Sequence, residues 1–140
     1  TRSYSVTGGQ TCALPILTSL RDYLNPEQII VSLDHIKGNV AIKGWTEVTN
    51  INAFTLGKKL EKFGAGYILF SAVEADGTFK GPDIENTKKM VDSVSIPVFA
   101  AGGTRSKEDI IAIKETGAYG VIIGKAFYEN KIDFKLVKNV

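Results

Sequence analysis

Four short apolar runs constrain what this chain can fold into more than anything else in it. They are QIIVSLD (Gln28 to Asp34), GYILFS (Gly66 to Ser71), IPVFAA (Ile96 to Ala101) and AYGVIIG (Ala118 to Gly124). Each is rich in β-branched or aromatic residues and too short for a stable helix, so each reads as a strand. The segments between them have helical periodicity. NAFTLGKKLEKFG starts at Asn52, a good N-cap, and stops at Gly64. DIENTKKMVDSV runs from Asp83 to Val94, and SKEDIIAIKETG lies between a capping Ser106 and a terminating Gly117. Strands alternating with helices predict βαβ units and a parallel sheet. Because the strands are apolar at consecutive positions, both sheet faces are expected to be buried.

Two architectures fit this alternation: a doubly wound sheet, and part of a (β/α)8 barrel. A whole barrel needs eight βα units and about 250 residues. The chain has 140 residues, and four units are legible in it. The barrel reading is therefore half a TIM barrel, whose four strands lack a partner on the face that would be the barrel interior. Around these units, LTSLRDYL (Leu17 to Leu24) is a short helix stopped before Pro26. HIKGNVAIKGW is two extended pieces about a turn at Lys37-Gly38-Asn39, and KAFYENK and DFKLVKNV are terminal helical pieces. Residues 1–16 (TRSYSVTGGQTCALPI) differ in character, and TGGQTCALPI resembles translated adapter sequence. They are expected to be a disordered or non-native segment, with residues 17–140 forming the half-barrel. The chain reads as a fragment.

Composition narrows the function. The net charge of +2 is too small for a nucleic-acid footprint, and no apolar run approaches a membrane span. A single cysteine, Cys12, forms no internal disulfide, so a reducing cytoplasm is expected. His35 is the only histidine and no Cys/His cluster exists, so no metal site is expected.

In a parallel α/β sheet the chemistry sits where strands end. Those ends are Asp34, Ser71, Ala101-Gly102-Gly103 and Gly124-Lys125. Gly102 and Gly103 expose backbone amides with no Cβ in the way. A second strand–glycine–helix junction follows at Gly124, where the first helical amides attract an anion. The Gly-Gly pair is either a tight turn or half of a phosphate cradle, and the second junction favours the cradle. Lys125 adds charge there or caps a surface. Asp34 is a candidate general acid/base. His35 beside it is read as a solvated loop residue. Trp45, in a glycine-flanked loop, is either core or a stacking surface for a planar ligand. Asp76-Gly77 is first a turn signal and second a ligand contact.

Taken together, VSLDHIKGNVAIKGWTE, EADGTFKGPD, IPVFAAGGTRSKED and GVIIGKAFYE resemble one family. It is the histidine-biosynthesis isomerase acting on phosphoribosylformimino-5-aminoimidazole carboxamide ribotide. The resemblance spans residues 17–140 and matches strands five to eight of that family's barrel. It implies an Amadori rearrangement of an aminoaldose to an aminoketose, without metal or cofactor, on a small doubly phosphorylated substrate. By the same resemblance Asp34 is the general acid. Lys43 and Trp45 occupy the basic and stacking positions of the fifth loop. Ser71 stands where the family has Thr, and Asp76, Gly77 and Thr78 match its substrate-contacting DGT. Gly102, Gly103, Gly124 and Lys125 match one of two phosphate sites. The family's second catalytic aspartate, on its first strand, has no counterpart here. The cyclase subunit of imidazole-glycerol-phosphate synthase shares the barrel, the DGT and the glycine pairs, but not KGW. A dual-substrate isomerase serving tryptophan biosynthesis as well has a similar loop. The family's whole barrel is expected to be a monomer. The 140-residue chain is expected to be catalytically incomplete, and the competing expectation is a half-barrel phosphate-binding module that self-associates through its exposed strand faces.

Overall fold

A computed structural model describes residues 10–42, 44, 46–75, 80–129, 132 and 135. A helix, α1 (Gln10–Leu20), leads through a single 3-10 turn (Pro26–Gln28) into β1 (Ile30–Ile36). The chain then reverses into β2 (Asn39–Ile42) and β3 (Glu47–Asn52), followed by α2 (Ala53–Lys62) and β4 (Tyr67–Ala72). Next come α3 (Ile84–Ser93), β5 (Val98–Ala101), α4 (Lys107–Glu115), β6 (Gly120–Ile122) and α5 (Lys125–Tyr128). The sheet order is β3-β2-β1-β4-β5-β6. The run β1-β4-β5-β6 is parallel throughout, and β2 and β3 extend it as an antiparallel ribbon. Four parallel βα units in consecutive order are the half-barrel arrangement, one of the two that the strand–helix alternation allows.

Local chemistry sets the helix ends. The Asn52 side chain accepts from the Thr55 amide at 2.9 Å, Asp83 from Asn86 at 3.0 Å, and Ser106 from Asp109 at 3.2 Å. Each satisfies an amide that has no partner within the helix. The β1–β2 corner is a two-residue turn with Lys37 at φ 50° and Gly38 at φ 82°, the left-handed pair that matches strand twist.

The two faces of the parallel run differ. Val31, Leu33, Ile68, Phe70 and Val98 face the helices, where they pack with Ala53, Leu56, Leu60 and Met90, and Ala100 is buried on the same face. Alternation along β1 and β4 sends Ser32, Asp34, Tyr67, Leu69 and Ser71 to the other side, where they are only half-buried. Phe99 and Ala101 join them from β5, and Ile122 from β6 is 50% exposed. So only one face is covered here, which corrects the expectation of burial on both. Near the strand starts the open face carries an aromatic cluster, with Phe99 and Tyr119 edge-on at 5.3 Å and Tyr67 6.0 Å from Phe99.

Two further expectations change. The first helix begins at Gln10, with Leu14 packed on the core, so helix occupies residues 10–16 of the segment for which disorder was one reading. And β1 does not stop at Asp34 but runs on to Ile36. His35 is therefore a strand residue, 1% exposed, and not a solvated loop residue. One added strand position decides which face a side chain joins.

Candidate functional site

Parallel pairing sets the strand ends side by side. Asp34 pairs with Ser71, Ser71 with Ala101, and Ala101 with Ile122. These positions form one row across the open face at the C-terminal edge of the sheet. Asp34 thus points to the face opposite the helix-packed core, and its Oδ1 accepts a long 3.4 Å hydrogen bond from the Ser32 hydroxyl two residues back. Ser71 stands next to it in the row. Lys43, Trp45, Asp76, Gly77 and Thr78 lie outside the described residues.

Gly102 and Gly103 continue directly from Ala101, at φ 96° and 78°. A Cβ on Gly102 would come within 2.6 Å of the Ala72 carbonyl oxygen. One on Gly103 would collide with the Gly81 carbonyl oxygen and reach 2.8 Å from the Ala75 Cβ. The backbone itself therefore needs both glycines, because the loops after β4 and β5 touch here. Gly124 follows β6 on the neighbouring strand and caps α5, with open space around it. Lys125 sits at the start of α5, its Nζ 3.7 Å from Glu129 Oε1. The two glycine junctions thus lie at the same end of adjacent parallel strands.

Sequence reasoning passed over Thr104. It is 9% exposed, and its hydroxyl has no hydrogen-bond partner among the described residues. A buried polar atom left so is unusual and calls for a partner. Its position directly after the two glycines was the only signal available.

Substituting Gly103 with Ala is expected to destabilise the chain by about 2–3 kcal/mol, combining left-handed backbone strain with a steric contact. Gly117→Ala is the control. It has φ 86° but meets only a Val91 methyl at 3.3 Å, so about 1 kcal/mol is expected. Urea denaturation of both variants measures the two contributions, and equal losses would mean the loop contact is absent.

The family model described as "Histidine biosynthesis protein" matches residues 6–133. The chain belongs to that family. The match begins inside the stretch that was expected to stand apart. Relatives named as an imidazole-4-carboxamide isomerase, with two 5-phosphoribosyl groups in the substrate name, agree with it. The relative from Methanococcus maripaludis C6 is 44% identical over 120 residues, covering 86% of this chain and 50% of its own length. One from Clostridioides difficile 630 is 42% identical over 78% of this chain and 45% of its own length. One from Thermodesulfovibrio yellowstonii is 46% identical over 79% and 46%. The chain thus spans about half the length of the curated relatives it matches. Among the described residues no helix is long and apolar enough to cross a membrane.

Proposed function

We propose that this chain is one half of an isomerase that converts a doubly phosphorylated aminoaldose ribotide to its aminoketose. The observation that carries the reading is the row Asp34–Ser71–Ala101–Ile122, with the two glycine junctions just beyond it. A carboxyl and a hydroxyl stand along one edge of one sheet face, and two glycine-led backbone turns follow at that edge. In the reaction the ribose ring opens as its ring oxygen takes a proton, and a second group moves a proton from C2. Asp34 supplies the first proton as general acid. Ser71 hydrogen-bonds a substrate hydroxyl beside it. Amides of the Gly102–Thr104 turn and of the Gly124–Lys125 junction hold one phosphate, and the buried Thr104 hydroxyl gives it a further donor. Lys43 and Trp45 fit the basic and stacking roles in the loop after β2, and Asp76, Gly77 and Thr78 fit substrate contacts after β4. The second catalytic carboxylate and the second phosphate site belong to a complementary half, which covers the open face.

A second reading, self-association, is favoured by the same face. Tyr119 at 68% exposure and Ile122 at 50% leave apolar surface whose burial is worth about 25 cal/mol per Å2. One experiment addresses both. The purified chain is run on size exclusion and assayed for isomerisation, alone and mixed with the N-terminal half of the Methanococcus relative. Turnover in the mixture only is expected. Turnover by the chain alone overturns incompleteness. A stable mixed complex without turnover overturns the isomerase reading.

A further inference from the structure

Behind Asp34, on the helix side of β1, lies a group that the proposed reaction does not use. His35 is 1% exposed. Its ring stacks on Phe70 of the neighbouring strand at 4.0 Å, with 9° between the planes. Its Nδ1 accepts the Gly38 amide at 3.3 Å. A neutral imidazole carries a single N–H, so this bond assigns the proton to Nε2. Among the described residues Nε2 has no hydrogen-bond partner. The ring lines a cavity of about 170 Å3 shared with the charged residues Lys37, Glu74, Lys80 and Asp83, roomy enough for water.

Gly38 is the pivot of the β1–β2 corner. Its amide goes to His35, and its carbonyl accepts the Ala53 amide at 2.9 Å. The corner is thereby tied to β1 on one side and to the first turn of α2 on the other. Adjacent strand residues point to opposite faces. A ring clamped on one face therefore fixes the direction of Asp34 on the other.

We propose that His35 is a positioning residue: its neutral ring latches the β1–β2 corner from behind and so aims Asp34, and gaining a proton opens the latch. A protonated ring carries a hydrogen on both nitrogens. Nδ1–H would then face the Gly38 N–H, and two donors repel. Burial pushes the His35 pKa down from its ordinary value of 6.5, against the pull of Asp83, Asp34 and Glu74. Lys37, on the turn, and Lys80, from the loop before α3, also line the cavity and add positive charge. A group whose pKa is lower when folded binds fewer protons folded than unfolded. Its stabilising contribution is complete above 6.5 and is lost as pH falls below that value towards the folded pKa.

The link to Asp34 rests on the proposed isomerase role, but the latch is testable without substrate. In the 140-residue chain, the His35 ring resonances and the Gly38 amide protection factor are followed by NMR from pH 7.5 to 5. Gly38 protection is expected to fall about tenfold, as loss of one hydrogen bond implies, at the midpoint of the ring titration, and the Asp34 carboxyl resonance is expected to move with it. His35→Asn places an amide oxygen where Nδ1 stood and does not titrate, so Gly38 should stay protected at both pH values. His35→Phe keeps an aromatic ring but no acceptor, and should leave Gly38 unprotected throughout. Should His35→Phe not fold, the parent titration and His35→Asn decide. Gly38 protection that ignores the ring titration overturns the latch, as does protection surviving in folded His35→Phe. An intact latch in a protein whose turnover ignores Asp34 would sink the isomerase role alone.

Discussion

Phe70→Ala is expected to lower the stability of this chain by about 3–5 kcal/mol, the cost of emptying a fully buried aromatic site. Phe70 is 1% exposed and central on β4, stacked on His35 and 6.2 Å from the Phe54 ring of α2. It is packed between β1 and α2, so no single neighbour can move in to fill the space. Typical domains have only about 5–15 kcal/mol in total. A half-barrel with one sheet face uncovered has less apolar burial to draw on, so the variant should be substantially unfolded at room temperature. Phe70→Leu retains most of the volume and should cost about 1.5 kcal/mol. Urea titrations followed by far- and near-ultraviolet circular dichroism measure both. In folded Phe70→Leu the His35 ring loses its stacking partner and gains water, so its pKa should rise back towards 6.5. A loss below 1 kcal/mol for Phe70→Ala would show that this side chain is not the centre of the core.

The features legible in the sequence were those set by neighbouring residues. Asn52 and Ser106 were readable as caps because a cap acts on an amide three residues away. Gly64 and Gly117 were readable as stops, and both sit at positive φ, 104° and 86°. What was missed depends on distant pairing. The strand β3 (Glu47–Asn52) is a mostly exposed edge with Thr49 and Ile51 turned inward, and its polar residues hide a strand until β2 is there to pair with it. The Thr49 hydroxyl bonds the Val40 carbonyl at 2.9 Å, a contact that no local pattern announces. His35 was misjudged for a related reason. A strand ending at Asp34 leaves the next residue in solvent, whereas a strand running to Ile36 buries it. That Asp34 and Ser71 lie at strand ends was legible, but that they pair side by side was not, because a register between strands is a tertiary fact.

Asp34→Asn separates the proposed chemical role of this carboxyl from its structural one. In a barrel assembled with its complementary half, turnover should fall by about 10²–10⁴, the usual contribution of a positioned general acid. The amide has nearly the same shape, and its oxygen can still accept from the Ser32 hydroxyl, which stands 3.4 Å away in the parent. Stability should therefore change by less than about 0.5 kcal/mol, as for a substitution that disturbs no packing. KM should change little, because the proposed role of the lost group is on the proton and not on the phosphates. Asp34→Glu gives the converse test. It keeps the acid but moves it by one methylene, and a misplacement of about 1 Å can itself cost about a hundredfold. If Asp34→Glu is as inactive as Asp34→Asn, position matters as much as acidity, which is what a strand end clamped from behind by His35 would predict. If Asp34→Asn keeps parent turnover, Asp34 is not the acid, and the row on the open face must be assigned another role.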